Sequence, residues 1–555
     1  MTNSANQTAA SATTVPESNP ANGDGSPVLV VGGSLVGLSA AVLLAHWNVP
    51  TVLVERHVGS SPHPRTIGYT PRTMEIFQTV GLTAQIPQAP ADFRLRRAVV
   101  ESLAGSWQPS TDWTPAEKQI ADSVKPAAGS KPDHSPFTGA AIAQDKLEPL
   151  LRAKAGELGA DLRLGTKLVY FEQDAEGVTA HVRERDGGRT YPIRASYLIA
   201  ADGSTSPVRE ALGIGRHGRG PIRTVRSVLF RANLDEYLRT GIHQFEIEQP
   251  DLRAFLTTYN DGRWVLMFTD EIERDEAALR AAIDKATGRP DLAVDILTTG
   301  RWELSALVAD HFAGGRVFLA GDAAHTLPPT RGGFGANTGI ADAHNLAWKL
   351  AAVLAGTSTP ALLDTYNAER QPVAWLRHQQ IFARPDYAAD APDDTKGLPI
   401  LDDAALEFGQ LYRSAAILGA GDGLPPAQRP DQWAGQPGTR APHLWLTRHG
   451  ARLSSLDLFG QNWVLLTEDE RWRTVATAVG EQLGVNLDCV VVGMDVQPTN
   501  PAAFGAAFGL LPAGASLIRP DGYVAWRSTN LPADPLHALV DGLGRVLAAP
   551  AAEAD

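Results

Sequence analysis

The stretch VLVVGGSLVGLSAAVLLA, residues 28–45, decides the fold. Its four branched apolar residues fit a strand buried on both faces, as in a parallel sheet. Glycines and a serine then break the run, and an Ala- and Leu-rich segment follows that reads as a helix. Gly32, Gly33 and Gly37 leave room for a tight turn, so the amides opening the helix face outward toward a pyrophosphate. The spacing is G-x-S-x-x-G, with Ser34 where the dinucleotide fingerprint has its middle glycine. Serine is a small polar substitute, and its hydroxyl is itself a donor for phosphate. Alone, the loop also suits a strand-to-helix turn in another α/β protein. The run PTVLVERH, residues 50–57, adds a second buried strand ending on Glu55, eighteen positions after Gly37. An acid there accepts hydrogen bonds from the adenosine ribose, and a mononucleotide-binding half follows.

A chain of 555 residues exceeds what one hydrophobic core supports, so two or three domains are expected. The net charge of −13, with no lysine or arginine before Arg56, argues against a nucleic-acid surface and a basic targeting segment. No apolar run approaches the roughly 20 residues of a membrane span. Residues 1–26 are rich in Ser, Thr, Asn, Ala and Pro and read as a disordered tail. The one cysteine, Cys489, leaves no internal disulfide, no C-x-x-C pair and no cysteine-clustered metal site, and a cytoplasmic location is the simplest expectation. No metal site is expected.

Two later segments extend the nucleotide reading. SYLIAADGSTSPVREALGI, residues 196–214, is a strand, an Asp202-Gly203 turn and a helix start. GRVFLAGDAAHTLPPTRGGFGANTGIADAHNLAWKLAAVLAG, residues 315–356, holds another strand, Gly321-Asp322, and a long amphipathic helix. Between them Pro328, Pro329, Gly332, Gly333, Gly335 and Gly339 fall within twelve residues, as a backbone requires when it closely approaches something flat and bulky.

In this order, the fingerprint ending in Glu55-Arg56, ADGSTSPVRE and GDAAHTLPPTRGGFGANTGIADAHNLAWKL resemble the FAD-dependent aromatic hydroxylases. These are the single-component flavoprotein monooxygenases related to para-hydroxybenzoate hydroxylase. With PRTIGYTPRTMEIFQTVGL, QDKLEPLLRAKAGELGADLRLGTKL and the tail segments RAPHLWL, LSSLDLFG and SLIRPDGYVAWR, the pattern is similar to the bacterial aromatic polyketide hydroxylases over about residues 27–530. The resemblance implies non-covalent FAD, with Gly32, Ser34 and Gly37 at the phosphates, Glu55 at the ribose and Arg56 at the adenosine end. It places Arg65 and Gln144 at the pyrophosphate and ribityl region, and Asp322 on the ribityl chain. At Gly335 begins a helix whose free amides, at Ala336 and Asn337, would face the flavin N1–C2=O edge, approached over Pro328 and Pro329. The loop carries one residue more than the para-hydroxybenzoate pattern near Arg331, which would serve substrate or peroxide; Pro329 and Arg331 are the candidates beside the reacting atoms.

The implied fold is α/β. A Rossmann-like FAD domain (27–210 and 311–400) is interrupted by a β-sheet substrate domain (211–310, joined by part of 85–140), and a thioredoxin-like domain (401–555) follows. Residues 389–403 read as a linker. The implied activity is NADPH- or NADH-dependent hydroxylation of a polycyclic phenol by O₂ through a flavin C4a-hydroperoxide, in a monomer or homodimer. Baeyer–Villiger oxygenation, a halogenase or dehydrogenase on the same fold, and a flavin-binding interaction protein are the alternatives. HQFEIEQPDLRAFLTTYNDGRWVLMFTD, residues 243–270, alternates like strands, with Trp264, Leu266 and Phe268 on one face and Val265 and Met267 on the other. The first set is taken as substrate lining, with domain core an equal alternative for either set. His325 is read as a structural histidine beside the flavin.

Overall fold

The computed structural model describes residues 25–90, 97–110, 133–185, 187–329 and 333–548. Most of the 1–26 tail, and Arg331, lie outside them. The quoted stretch forms the strand Val28–Val31 and the helix Leu35–His46. The strand is central in a six-stranded sheet ordered Ala313–Gly314, Val317–Leu319, Tyr197–Ala200, Val28–Val31, Thr51–Glu55, Asp161–Leu164. All neighbours run parallel except at the 313–314 edge. Chain order reverses across Val28–Val31, which makes its carboxyl end the switch point where such sheets bind ligands. The helix has every residue but Val36 and His46 buried, because helices Gln144–Glu157 and Phe334–Leu354 pack on it from two sides. Such burial is what an all-round apolar helix requires.

An eight-stranded sheet stands against this domain, ordered His325–Thr326, Asp295–Ala309, Arg216–Arg231, Arg263–Phe268, Leu252–Thr258, Gln244–Gln249, Arg97–Val100, Trp107–Ser110. One face is covered by the helix Glu276–Thr287, whose Asp275 N-cap accepts from Ala278 N at 2.8 Å. Residues 389–403 turn back along the helix Ala361–Ala383, tied there by Gln380 to Pro399 O and Leu401 N.

The last domain is a four-stranded sheet ordered Leu487–Val491, Trp463–Thr467, Ala515–Ile518, Val524–Ser528, with the first pair parallel and the others antiparallel. Helices Arg471–Leu483 and Pro535–Leu547 pack on one face and Ala503–Phe508 on the other, a thioredoxin-like arrangement. Its core continues into the FAD-domain helices through Trp348 and Leu362, with the rings of Trp348 and Trp463 edge to face at 5.7 Å. Among the described residues no helix is long and apolar enough to cross a membrane.

Candidate active site

The glycines of the first turn are required by the chain itself. A Cβ on Gly32, which has φ +106°, would sit 2.2 Å from Ala201 O, and one on Gly37 would sit 1.8 Å from Gly32 O. At Gly33 a Cβ would lie 2.6 Å from Glu55 Cβ, so the turn rests on the carboxylate that ends the second strand. Gly33 N donates to Glu55 Oε2 at 2.6 Å and His57 N to Oε1 at 2.8 Å, which fixes the acid at the carboxyl end of its strand. Arg56, beside it, is exposed and donates through Nε to His57 Nε2 at 3.0 Å.

Ser34 and Gln144 meet around a residue that the sequence reading passed over. Ser34 Oγ donates to Glu148 Oε1 at 2.8 Å, and Gln144 Nε2 donates to both Ser34 Oγ (2.9 Å) and Glu148 Oε1 (2.8 Å). Arg65 N donates to Gln144 Oε1 at 3.3 Å, and the Arg65 guanidinium lies on an exposed residue at the same corner. Glu148 follows Gln144 by one helical turn, so the i, i+4 spacing was the signal available for it.

Asp322 lies in the single turn Gly321–Ala323, half-buried, with no partner for its carboxylate among the described residues. The turn is held from behind. Asp342 Oδ2 accepts from Gly321 N at 3.2 Å and pairs with His325 Nε2 at 2.7 Å, while Oδ1 accepts from Arg370 Nε at 2.8 Å. Burial opposes the Asp342 charge, but Arg370 and His325 hold its carboxyl below the usual range. His325 is fully buried in this network and packs beside Phe312.

The helix Phe334–Leu354 starts at Gly333, which is left-handed at φ 57°. Its first amides, including those of Gly335 and Ala336, have no partners within the helix. Asn337 locks this end in place. Its Oδ1 accepts from Thr70 N (3.1 Å) and Thr73 Oγ1 (2.6 Å), and its Nδ2 donates to Gly333 O at 2.8 Å. Pro329 is exposed, and its carbonyl accepts from Tyr387 Oη at 3.0 Å. The two turns and this helix meet around Val36: a Cβ on Gly321 would lie 2.8 Å from Val36 Cγ2, and one on Gly339 2.5 Å from it.

The residue set fits FAD. A fingerprint turn with outward amides suits phosphate, Glu55 suits a ribose, Asp322 has a carboxylate with free acceptor capacity for a sugar-like chain, and a helix N-terminus suits an electron-rich ring edge. Among the described residues, a Cβ on Gly335 meets only Leu327 O, at 3.8 Å.

The substrate face requires a correction. Trp264, Leu266 and Phe268 are buried with Leu279, Ala282 and Ile283 of the covering helix, so they form domain core and do not line the flavin side. The register places Leu229, Val265, Ser227, Met267 and Phe255 on the opposite face. That face meets the FAD domain through Ser227 Oγ and His63 Nε2 (2.8 Å) and, at its edge, Tyr259 Oη and Pro64 O (2.5 Å). Met267 and Phe255 remain partly exposed on it.

A glycine-rich turn, an acid ending the next strand and a helix N-terminus on one mostly parallel sheet are what a dinucleotide-binding fold presents. Residues 25–380 match the FAD binding domain family, and residues 434–550 match the aromatic-ring hydroxylase C-terminal family. The chain belongs to the FAD-dependent aromatic-ring hydroxylases. It is 39% identical over 553 residues to the 4-methyl-5-nitrocatechol 5-monooxygenase of a Burkholderia species, covering 94% of this chain and 97% of that one. It is 41% identical over 544 residues to the tetracenomycin B2 monooxygenase-dioxygenase of Streptomyces olivaceus, covering 94% and 98%. A solved ternary complex of aklavinone-11 hydroxylase with FAD and aklavinone superposes with a TM-score of 0.83 at 36% identity, covering 94% of this chain and 99% of that one.

Proposed function

We propose that the enzyme hydroxylates a polycyclic, polyketide-type phenol, using NADPH or NADH as reductant and O₂ as oxidant. The observation that carries this reading is the meeting of the Gly33 turn, the Asp322 turn and the Asn337 helix end around Val36, with the partly exposed Met267 and Phe255 on the sheet face turned toward the FAD domain. Bound FAD supplies hydride acceptance and oxygen activation. Within the chain, Glu55 and Asp322 hold the two sugar-like portions, and the Gly335–Ala336 amides stabilise negative charge at the ring edge. The apolar sheet face stacks a flat substrate and keeps water from it. Substrates named for relatives that are polycyclic and oxygenated, tetracenomycin B2 and aklavinone, favour a fused-ring acceptor.

The test is aerobic NADPH and NADH consumption by FAD-loaded protein against a panel of fused-ring phenols, with products assigned by NMR. Substrate-stimulated oxidation yielding a new phenolic C–O bond is expected. Ring-inserted oxygen in the product would assign Baeyer–Villiger chemistry instead, and no stimulation by any phenol would overturn the reading.

A further inference from the structure

Asn337, at the cofactor-facing helix end, is gripped by a segment that is itself gripped by a short helix following the 389–403 stretch. Thr70 caps the helix Pro71–Thr79 and donates its backbone N–H to Asn337 Oδ1. Two residues on, Arg72 N donates to Glu407 Oε1 at 2.9 Å. Glu407 belongs to the short helix Asp403–Phe408, far from the nucleotide motifs in sequence. It borders a small polar cavity with Arg72, His344, Arg370, Arg377 and Tyr412.

We propose that Glu407 is a positioning residue for the ring end of the cofactor, acting by holding the 70–73 segment that fixes Asn337. Ionised, it is the stronger acceptor for Arg72 N; protonated, it loosens that hold. The groups facing it are Arg72 and Glu75 from one helix, His344 from the second, Arg370 and Arg377 from the third, Tyr412 and Arg440 from the segment that follows, and Asp521 and Tyr523 from the C-terminal hairpin. Burial outweighs the hydrogen bonds and pushes its carboxyl up to about 7, so both states are populated at working pH.

This inference rests on FAD lying at that helix end, and the experiment separates the two. FAD binding to the apoprotein is titrated by flavin fluorescence between about pH 5.5 and 8.5 for wild type and Glu407→Gln. Wild type is expected to bind FAD roughly three- to tenfold more tightly at the alkaline end. Glu407→Gln, a permanent stand-in for the protonated acid, is expected to hold the weaker affinity throughout. An infrared titration of the apoprotein reads the carboxyl itself, with a protonated-acid band that wild type loses near neutral pH and Glu407→Gln lacks. FAD binding with the same pH profile in both proteins overturns the role of Glu407 and leaves the cofactor site standing. A flat wild-type profile overturns it without any variant, and failure of wild type to bind FAD removes the site reading and this inference together.

Discussion

Arg519 of the C-terminal hairpin and Glu369 of the FAD-domain helix Ala361–Ala383 form a two-pronged ion pair, at 2.6 and 3.0 Å, with both side chains fully buried. Glu369 also accepts from Lys349, Asn345 and Ser414, and Arg519 Nε donates to Asp521. The C-terminal domain is therefore keyed electrostatically into the helix Ala361–Ala383, and reaches the helix that carries Asn337 through the Lys349 and Asn345 bonds to Glu369. Removing one partner of a buried pair strands the other charge, so Arg519→Met should lose roughly 3–5 kcal/mol of stability. Denaturant unfolding of Arg519→Met, Glu369→Gln and the double variant checks this. The double variant should lose clearly less than the sum of the two, and strict additivity would refute the coupling.

Asp322→Ala should weaken FAD binding with little effect on folding, because the carboxylate has no partner within the described chain. Loss of an acceptor that leaves bound hydroxyl donors unpaired costs about 1–3 kcal/mol, or roughly 5- to 150-fold in affinity. Flavin fluorescence titration measures it, and an unchanged dissociation constant would mean that Asp322 points away from the cofactor.

The glycine turn was legible because its steric demands are written into residue type: only glycine fits 2.2 Å from Ala201 O. Glu55 was legible from its distance in sequence, since the strand length between turn and acid is fixed. The ion pair was not, because its partners lie 150 positions apart and neither carries a local pattern. The strand Arg263–Phe268 failed in a different way. Alternation divides its side chains into two faces but does not say which is covered, and that choice belongs to the helix Glu276–Thr287.

The two faces of that strand should separate by mutation. Trp264→Ala opens a hole in the core and should cost about 3–5 kcal/mol of stability. Met267→Ala should cost less and act on substrate, raising KM for fused-ring phenols or changing which of them stimulates NADPH oxidation. Thermal unfolding and steady-state kinetics on both variants decide it. An unaltered substrate profile in Met267→Ala would place the substrate elsewhere.

Two glycines in the same helix give the sharpest contrast. A Cβ on Gly339 would lie 2.5 Å from Val36 Cγ2 and 2.8 Å from Gly321 Cα, so Gly339→Val must push the first helix or the Asp322 turn aside. Overpacking of this kind costs about 1–3 kcal/mol or more, and the variant should be unstable before any question of activity arises. Gly335 has an ordinary backbone, and among the described residues a Cβ there meets only Leu327 O at 3.8 Å, so Gly335→Val should fold normally. Its branched side chain would intrude where the Gly335 and Ala336 amides face the ring edge, while the adenosine end of FAD stays held by Glu55. The expected result is retained FAD, a lower flavin reduction potential and slower reduction by NADPH in stopped flow. More of the NADPH used should be lost to hydrogen peroxide as water reaches the ring. A Gly335→Val protein with normal potential, reduction rate and coupling would show that this helix end stabilises no charge on the flavin, and the electrostatic part of the proposed function would fall.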